Sequence, residues 1–299
     1  MPLRFERHGN EVNDVTQRKT PMVYSLYGLL ASLILSLTGC SPPVGAVANP
    51  PGGGATPDPV TLTVFAAASL TDAFTEIGGQ FEAANPEIDL VFNFAGSQQL
   101  AQQLSQGAPA DVFASANQRQ MAVVITSGRI APDAPQTFAQ NRLVVIFPKD
   151  NPVGISRLQD LARPGLNLVL AGKAVPAGGY ALDFLAKADQ DADFGPNFKD
   201  KTLQNVVSYE QNVRAVLVKV SLGEADAGIV YLSDINGSNA RNVGYVDIPD
   251  RLNIIASYPL APIGDSPNLR PAQAFINFVL SSPGQEILAN HGFLPFKSQ

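Results

Sequence analysis

Residues 60–81 read VTLTVFAAASLTDAFTEIGGQF, and the two ends of this stretch obey different periods. Thr61–Ala66 is a short β-branched run of the kind that forms a buried strand. Beyond it Leu70, Ala73, Phe74, Ile77 and Phe81 recur at helical spacing, so one face of a helix is apolar. Ser69 stands at the joint as an expected N-cap, and Asp72 three residues on resembles the second half of a capping box. A strand that runs straight into an amphipathic helix is the building unit of an α/β fold.

The unit recurs along the chain. Strands are predicted at Asp89–Phe94, Val112–Ser115, Leu143–Phe147, Asn167–Ala171, Val206–Tyr209, Gly228–Tyr231, Val243–Ile248 and Ile254–Leu260. Helical stripes recur at Val213, Val216, Leu217 and Val220, and at Ala272, Phe275, Ile276 and Val279. Alternation of this kind predicts an α/β fold with mainly parallel strands. No repeat of 20–50 residues is present. No Pro/Gly/Ser tract interrupts the middle of the chain, which suits two halves joined by short strand-like crossings near Gln140–Asn141 and Ile255–Pro259.

Composition bounds the function. The 299 residues are 45% apolar and 15% charged, with a net charge of −6. An acidic chain is a poor partner for phosphate backbones, so no nucleic acid is expected. One Cys and two His leave no Cys/His zinc cluster and no Cys–His catalytic pair.

The N-terminus reads as an address. Arg4, Arg7, Arg18 and Lys19 precede the apolar run Met22–Leu37, which is shorter than the roughly 20 residues of a membrane span. Residues 1–39 are expected to be a signal peptide, with Met1 or Met22 as its start. Leu37-Thr38-Gly39-Cys40 resembles a bacterial lipoprotein box, which implies lipidation of Cys40, the only Cys of the chain. Ser41–Pro59 holds six Pro and four Gly in 19 residues, so residues 40–59 form a tether that reaches roughly 60 Å when extended. The expected product is exported and anchored by lipid to a membrane, facing the periplasm or the cell exterior. Without residues 1–39 its charge is −7, so any anion must be held by local dipoles against the global field.

Four strand ends meet helix starts: Val64–Ser69, Phe92–Ser97, Ala174–Gly179 and Tyr209–Val213. A helix start exposes unpaired N–H groups and about half a positive charge. Several starts aimed at one point make an anion site without Lys or Arg. Taken singly, Ser69 and Ser97 read first as helix caps, worth about 1 kcal/mol each; the local sequence around them decides for a shared site.

The segments VFAAASLTDAF (64–74), FAGSQQLAQQL (94–104), GAPADVFASA (107–116), AVPAGGYA (174–181), NVRAVLVKVSLGEADAGIVYLSD (212–234) and HGFLPF (291–296) resemble, in order, those of the periplasmic molybdate-binding proteins of ABC transporters. The resemblance implies a type II periplasmic-binding-protein fold: two α/β lobes, joined by hinge strands, that close on a tetrahedral oxyanion in the cleft. Lobe 1 would comprise 60–140 and 258–299, and lobe 2 141–257. It implies a ligand shell of Ser69, Ser97, Ala177, Val213 and Tyr231. Molybdenum would be held only as molybdate, or tungstate, with no direct metal–protein bond and no cofactor. The partners implied are the anion and an ABC permease, and the binding protein is expected to be a monomer and not an enzyme. Gln98 departs from the family pattern, where a second Ser or Thr follows the binding Ser.

Such a shell suits the ligand. Molybdate and tungstate are dianions that accept hydrogen bonds and donate none, and hydroxyl, phenol and N–H groups all donate. Asp72 is expected to serve its own helix start and Glu210 to face solvent. Arg214 is expected in an ion pair on the outer face of its helix, Asp111 in support of its strand, His291 at the surface or in packing, and Tyr180 and Tyr209 in packing. A receptor for another tetrahedral oxyanion such as sulfate or thiosulfate is the alternative. A surface-anchored hydrolase with Ser69 or Ser97 as nucleophile is remote, since no His or Cys lies near either Ser and no G-x-S-x-G elbow exists.

Overall fold

The computed structural model describes residues 59–236 and 241–295. The expected signal, Cys40, almost all of the tether and Phe296 lie outside those residues.

Strand β1 (Val60–Ala67) passes through one 3-10 turn (Ala68–Leu70) into helix α1 (Thr71–Ala84). There follow β2 (Ile88–Ala95), α2 (Ser97–Ser105), β3 (Val112–Ala114), α3 (Gln118–Thr126), β4 (Gln136–Asn141) and β5 (Leu143–Pro148). The chain continues through β6 (Leu168–Ala171), α4 (Pro176–Asp189), α5 (Phe198–Gln204), β7 (Val206–Glu210), α6 (Val213–Ser221) and β8 (Ala227–Tyr231). It ends with β9 (Val243–Asp247), β10 (Ala256–Pro262), α7 (Leu269–Leu280), α8 (Ser282–Asn290) and β11 (Leu294–Pro295).

The strands form two sheets, ordered β11-β4-β10-β3-β1-β2 and β7-β6-β8-β5-β9. In the first sheet residues of β1 and β3 alternate between two cores. Phe65 and Phe113 join Leu100 and Leu104 of α2 and Met121 and Val124 of α3. Val64, Ala66, Val112 and Ala114 face the other way, into a core with Phe74 and Phe81 of α1 and Phe275 of α7. There Phe275 meets Phe74 and Phe81 edge-on, at ring separations of 5.8 and 5.5 Å. Helices α4 and α6 pack on the second sheet, and α6 lies against Gly228, where a Cβ would sit 2.7 Å from Val216.

The sheets are mixed, which corrects the expectation of mainly parallel strands. β1 pairs in parallel with β2 and β3, and β6 with β7 and β8. β10 runs antiparallel to β3 and β4, and β5 antiparallel to β8 and β9. The reason is connectivity. A parallel neighbour needs a crossover, usually a helix, whereas β5 follows β4 after one residue and β10 returns from the second sheet with no helix before it. The chain thus leaves the first sheet at Asn141, enters the second at Leu143, leaves it at Asp247 and rejoins the first at Ala256.

Candidate functional site

A hollow of about 210 Å³ lies where strand ends from both sheets face one another. Ala67 at the end of β1, Ala68 just beyond it, Gly96 after β2 and Ala116 after β3 line it from the first sheet's side. Val175–Ala177 after β6, Asn212 and Val213 after β7, and Tyr231 at the end of β8 line it from the other. All are carboxyl ends of strands, where open α/β sheets bind ligands. Only about 10 Å³ of it admits the centre of a water-sized sphere, about the least that holds one water, so the hollow is small.

Each residue expected in the ligand shell lines this hollow: Ser69, Ser97, Ala177, Val213 and Tyr231. The local chemistry differs from the expected capping. Ser69 lies inside the 3-10 turn, and the residue before α1 is Leu70, with no side-chain cap. The Ser69 hydroxyl is instead 2.9 Å from the Tyr258 hydroxyl. Ser97 is the first residue of α2, after Gly96, and its Oγ accepts the Ala116 N–H at 3.0 Å. Neither hydroxyl makes a helix-cap bond, and Ser97, whose oxygen accepts, keeps its proton for another partner.

Backbone donors come from two further helix starts. Helix α4 begins at Pro176, four residues earlier than its apolar run at Tyr180, so Ala177 falls in its first turn. Pro is at home there because the first N–H of a helix has no intrahelical partner. Gly178 is required at this turn, since a Cβ would strike the Ala171 and Gly172 carbonyls. Helix α6 begins at Val213, and Asn212 caps it by accepting the Ala215 N–H at 3.0 Å. The N–H groups of Ala177 and Val213 lie among those that helical bonding leaves open.

The Tyr231 hydroxyl is buried and has no hydrogen-bond partner. Burial pushes its phenol well above the ordinary value, with the neighbouring Tyr258, Tyr180 and Asp234 adding to the effect. It stays protonated, and Tyr231 lines the hollow. An orphaned buried hydroxyl costs about 1–3 kcal/mol.

Sequence reading did not identify Tyr258 and Asn141 as site residues. Asn141 Nδ2 donates to Ser233 Oγ at 2.8 Å and lies 3.4 Å from the Tyr258 oxygen. Tyr258 thus stands behind Ser69 and is itself held by Asn141, and either hydroxyl of the Ser69–Tyr258 pair can serve as donor. No local pattern could reveal this, because Ser69 and Tyr258 are 189 residues apart.

No charged side chain lines the hollow among the described residues. Arg214, next to Val213, is committed elsewhere: it lies 2.5 Å from Asp72 and 3.7 Å from the buried Asp234, and its Nε is 3.4 Å from the Ala68 carbonyl oxygen. This corrects two expectations, since Arg214 is mostly buried and Asp72, though in the first turn of α1, pairs across to α6. Glu210 also differs from expectation: it faces Lys219 at 2.7 Å and Ser208 rather than open solvent. Asp111 does support the strands, accepting the Thr63 N–H at 2.6 Å and the Ser266 hydroxyl at 2.5 Å. His291 pairs with Glu76, Tyr180 packs against the main core, and Tyr209 is 56% exposed, not packed. Gln98 reaches over to the Gln211 carbonyl at 2.8 Å. Among the described residues, the side-chain hydroxyl of Ser69 meets Tyr258 and that of Ser97 meets the Ala116 N–H, and neither has a base in contact.

Residues 62–294 match the family described as bacterial extracellular solute-binding protein. A molybdate-binding protein, ModA, of Mycobacterium tuberculosis is 39% identical over 265 residues, covering 88% of this chain and 94% of that protein. A Bacillus subtilis protein described as a putative ABC transporter substrate-binding lipoprotein, YvgL, is 29% identical over 90% of this chain and 97% of its own length. Among solved structures, the substrate-binding domain of a putative molybdenum ABC transporter from Clostridium difficile superposes with a TM-score of 0.60 at 31% identity, over 80% of this chain and all of that one.

Proposed function

The chain belongs to the bacterial extracellular solute-binding proteins, and from that premise we propose that it captures molybdate outside the cytoplasm and delivers it to an ABC permease. It is a binding component and not an enzyme. The observation that carries the ligand class is a small hollow that no charged side chain lines among the described residues, with Ser69, Ser97 and two helix starts in its wall and the Tyr231 hydroxyl left without a partner. A tetrahedral dianion offers acceptors on every side and no proton. Hydrogen bonds to a charged group are worth roughly 1.5–3 kcal/mol each, enough to hold it in a protein of net negative charge.

In this reading Ser69 and Ser97 supply hydroxyls from one jaw, and Ala177 and Val213 N–H groups with the Tyr231 hydroxyl complete the shell from the other. The jaws are 60–140 with 258–299, and 141–257, and the anion selects their closed form by bridging them. The permease reads that form. Tungstate, nearly isosteric, shares the site. Sulfate has the same charge but is smaller, so its oxygens leave some donors unmade, at about 1–3 kcal/mol per orphaned group. Lipidation at Cys40 anchors a monomer, with residues 40–59 as the tether, in keeping with the lipoprotein description of the Bacillus relative.

Isothermal titration of residues 60–299 with molybdate, tungstate and sulfate tests the proposal. Tight, competitive binding of the first two with weak sulfate is expected, together with a rise in melting temperature on adding molybdate. Sulfate bound as tightly as molybdate would move the assignment to a sulfate receptor, and no binding of any oxyanion would remove it.

A further inference from the structure

Arg214 occupies an unusual place for a cation beside an anion site. It directly follows Val213, yet no part of it lines the hollow. Its guanidinium lies between two carboxylates, Asp72 at 2.5 Å and Asp234 at 3.7 Å, and against the Ala68 carbonyl oxygen at 3.4 Å. Asp234 also accepts the Tyr231 N–H at 3.0 Å. Arg214 and Asp234 belong to segments of the second sheet's half, whereas Asp72 and Ala68 follow β1 of the first. The contact to Asp72 therefore spans the cleft. The Arg214 side chain is 16% exposed and that of Asp72 36%, so the pair is partly shielded from water and salt.

We propose that Arg214 and Asp72 are positioning residues: a clasp across the cleft that stabilises the closed form without touching the anion. This rests on the jaw-closure reading of the site. Opening the cleft breaks the Arg214–Asp72 pair and leaves Arg214 with Asp234 in its own half, so the guanidinium has a partner in either state and only the cross-cleft bond is gained on closing. Asp234 ties the clasp to the site through Tyr231, and Ala68 ties it to the turn that carries Ser69. Two carboxylates beside one guanidinium leave no surplus positive charge, so the clasp adds closure without adding general attraction for anions.

The sign of one substitution separates a clasp from a simple charge. Asp72→Asn removes a negative charge near a site for a dianion, and by Coulomb's law alone it tightens binding. As a clasp it does the reverse, because apparent affinity falls in proportion to the closed fraction. The test places spin labels on cysteines introduced at the exposed positions Val123 and Leu222, one in each half, in the chain with Cys40→Ser. Pulsed paramagnetic resonance without ligand then compares this labelled parent with the same chain carrying Asp72→Asn, and dissociation rates are measured on both. Asp72→Asn should lengthen the ligand-free distance distribution. It should also speed the release of molybdate and of tungstate by the same factor, about tenfold, with the ligand-free melting temperature unchanged. Identical distances, or binding unchanged or tighter, would overturn the clasp. If the parent protein binds no oxyanion, the proposed function falls and the ligand-free distances alone decide the clasp. Should Asp72→Asn fail to fold, Asp72→Ser, which removes the same charge with a smaller polar side chain, carries the same expectations.

Discussion

Three hydroxyls carry most of the site, and each is held differently. Ser97 gives its oxygen to the Ala116 N–H, Ser69 is oriented by Tyr258, and Tyr231 waits without a partner. Ser69→Ala and Ser97→Ala should each weaken molybdate by about tenfold or more, and unchanged titration isotherms in both would remove them from the shell. Tyr231→Phe separates binding from folding. It deletes an orphaned buried hydroxyl, so the ligand-free protein should melt no lower than the parent, while molybdate affinity drops about tenfold. A lower melting point with intact affinity would mean that the hydroxyl serves the fold instead.

The elements matter because helix starts are fixed by what surrounds them. Gly96 has an ordinary φ of −61°, so its backbone tolerates a side chain. Space does not: a Cβ there would sit 2.6 Å from the Gln211 carbonyl of the opposing half and 2.5 Å from the Gln98 amide. Gly96→Ala should therefore keep its ligand-free melting temperature, since the halves can separate, and lose about tenfold or more in molybdate affinity through a cleft that cannot close fully. Equal affinity by titration would show that the opposing backbone yields. The same contact gives Gln98 a role where the family pattern has a small hydroxyl residue: it donates across the cleft to Gln211.

For the molecule as a whole, stability against pH follows from carboxylates of opposite kinds. Burial pushes Asp234 up to about 6 from 3.8, with Asp72 adding to the rise, although Arg214 and the Tyr231 N–H oppose it. Between those values the folded protein holds a proton that the unfolded chain has released, so this contribution is complete below about pH 4 and is lost as pH rises through 6. Burial also raises Glu210, but Lys219 and Ser208 more than offset it and leave its carboxyl low. Its contribution is lost as pH falls. Asp234→Asn should abolish the part of the stability decline between about pH 4 and 6 that belongs to this group, on the order of 3 kcal/mol. Denaturant unfolding of the ligand-free protein across that range checks it, and parallel curves for parent and variant would refute it.

Much of the architecture was legible in local sequence. Strand runs and helical stripes depend on neighbours within a few residues, which is why β1, α1, β8 and α6 could be read directly. β4 escaped because QTFAQN has no apolar run of its own; it is a strand through its pairing with β10 and β11. The sheets came out mixed because strand direction depends on how the chain crosses between them. The five residues proposed to hold the anion were named from motifs, and their gathering around one hollow is a tertiary fact. Tyr258 behind Ser69 and Arg214 against Asp72 lay beyond sequence reading, since partners so far apart in the chain leave no periodic trace. Sequence by itself determined which segments become strands and helices, because propensity and period are local. Only the folded chain decided which polar groups are satisfied and which are left facing the hollow, because that depends on atoms brought together from both sheets.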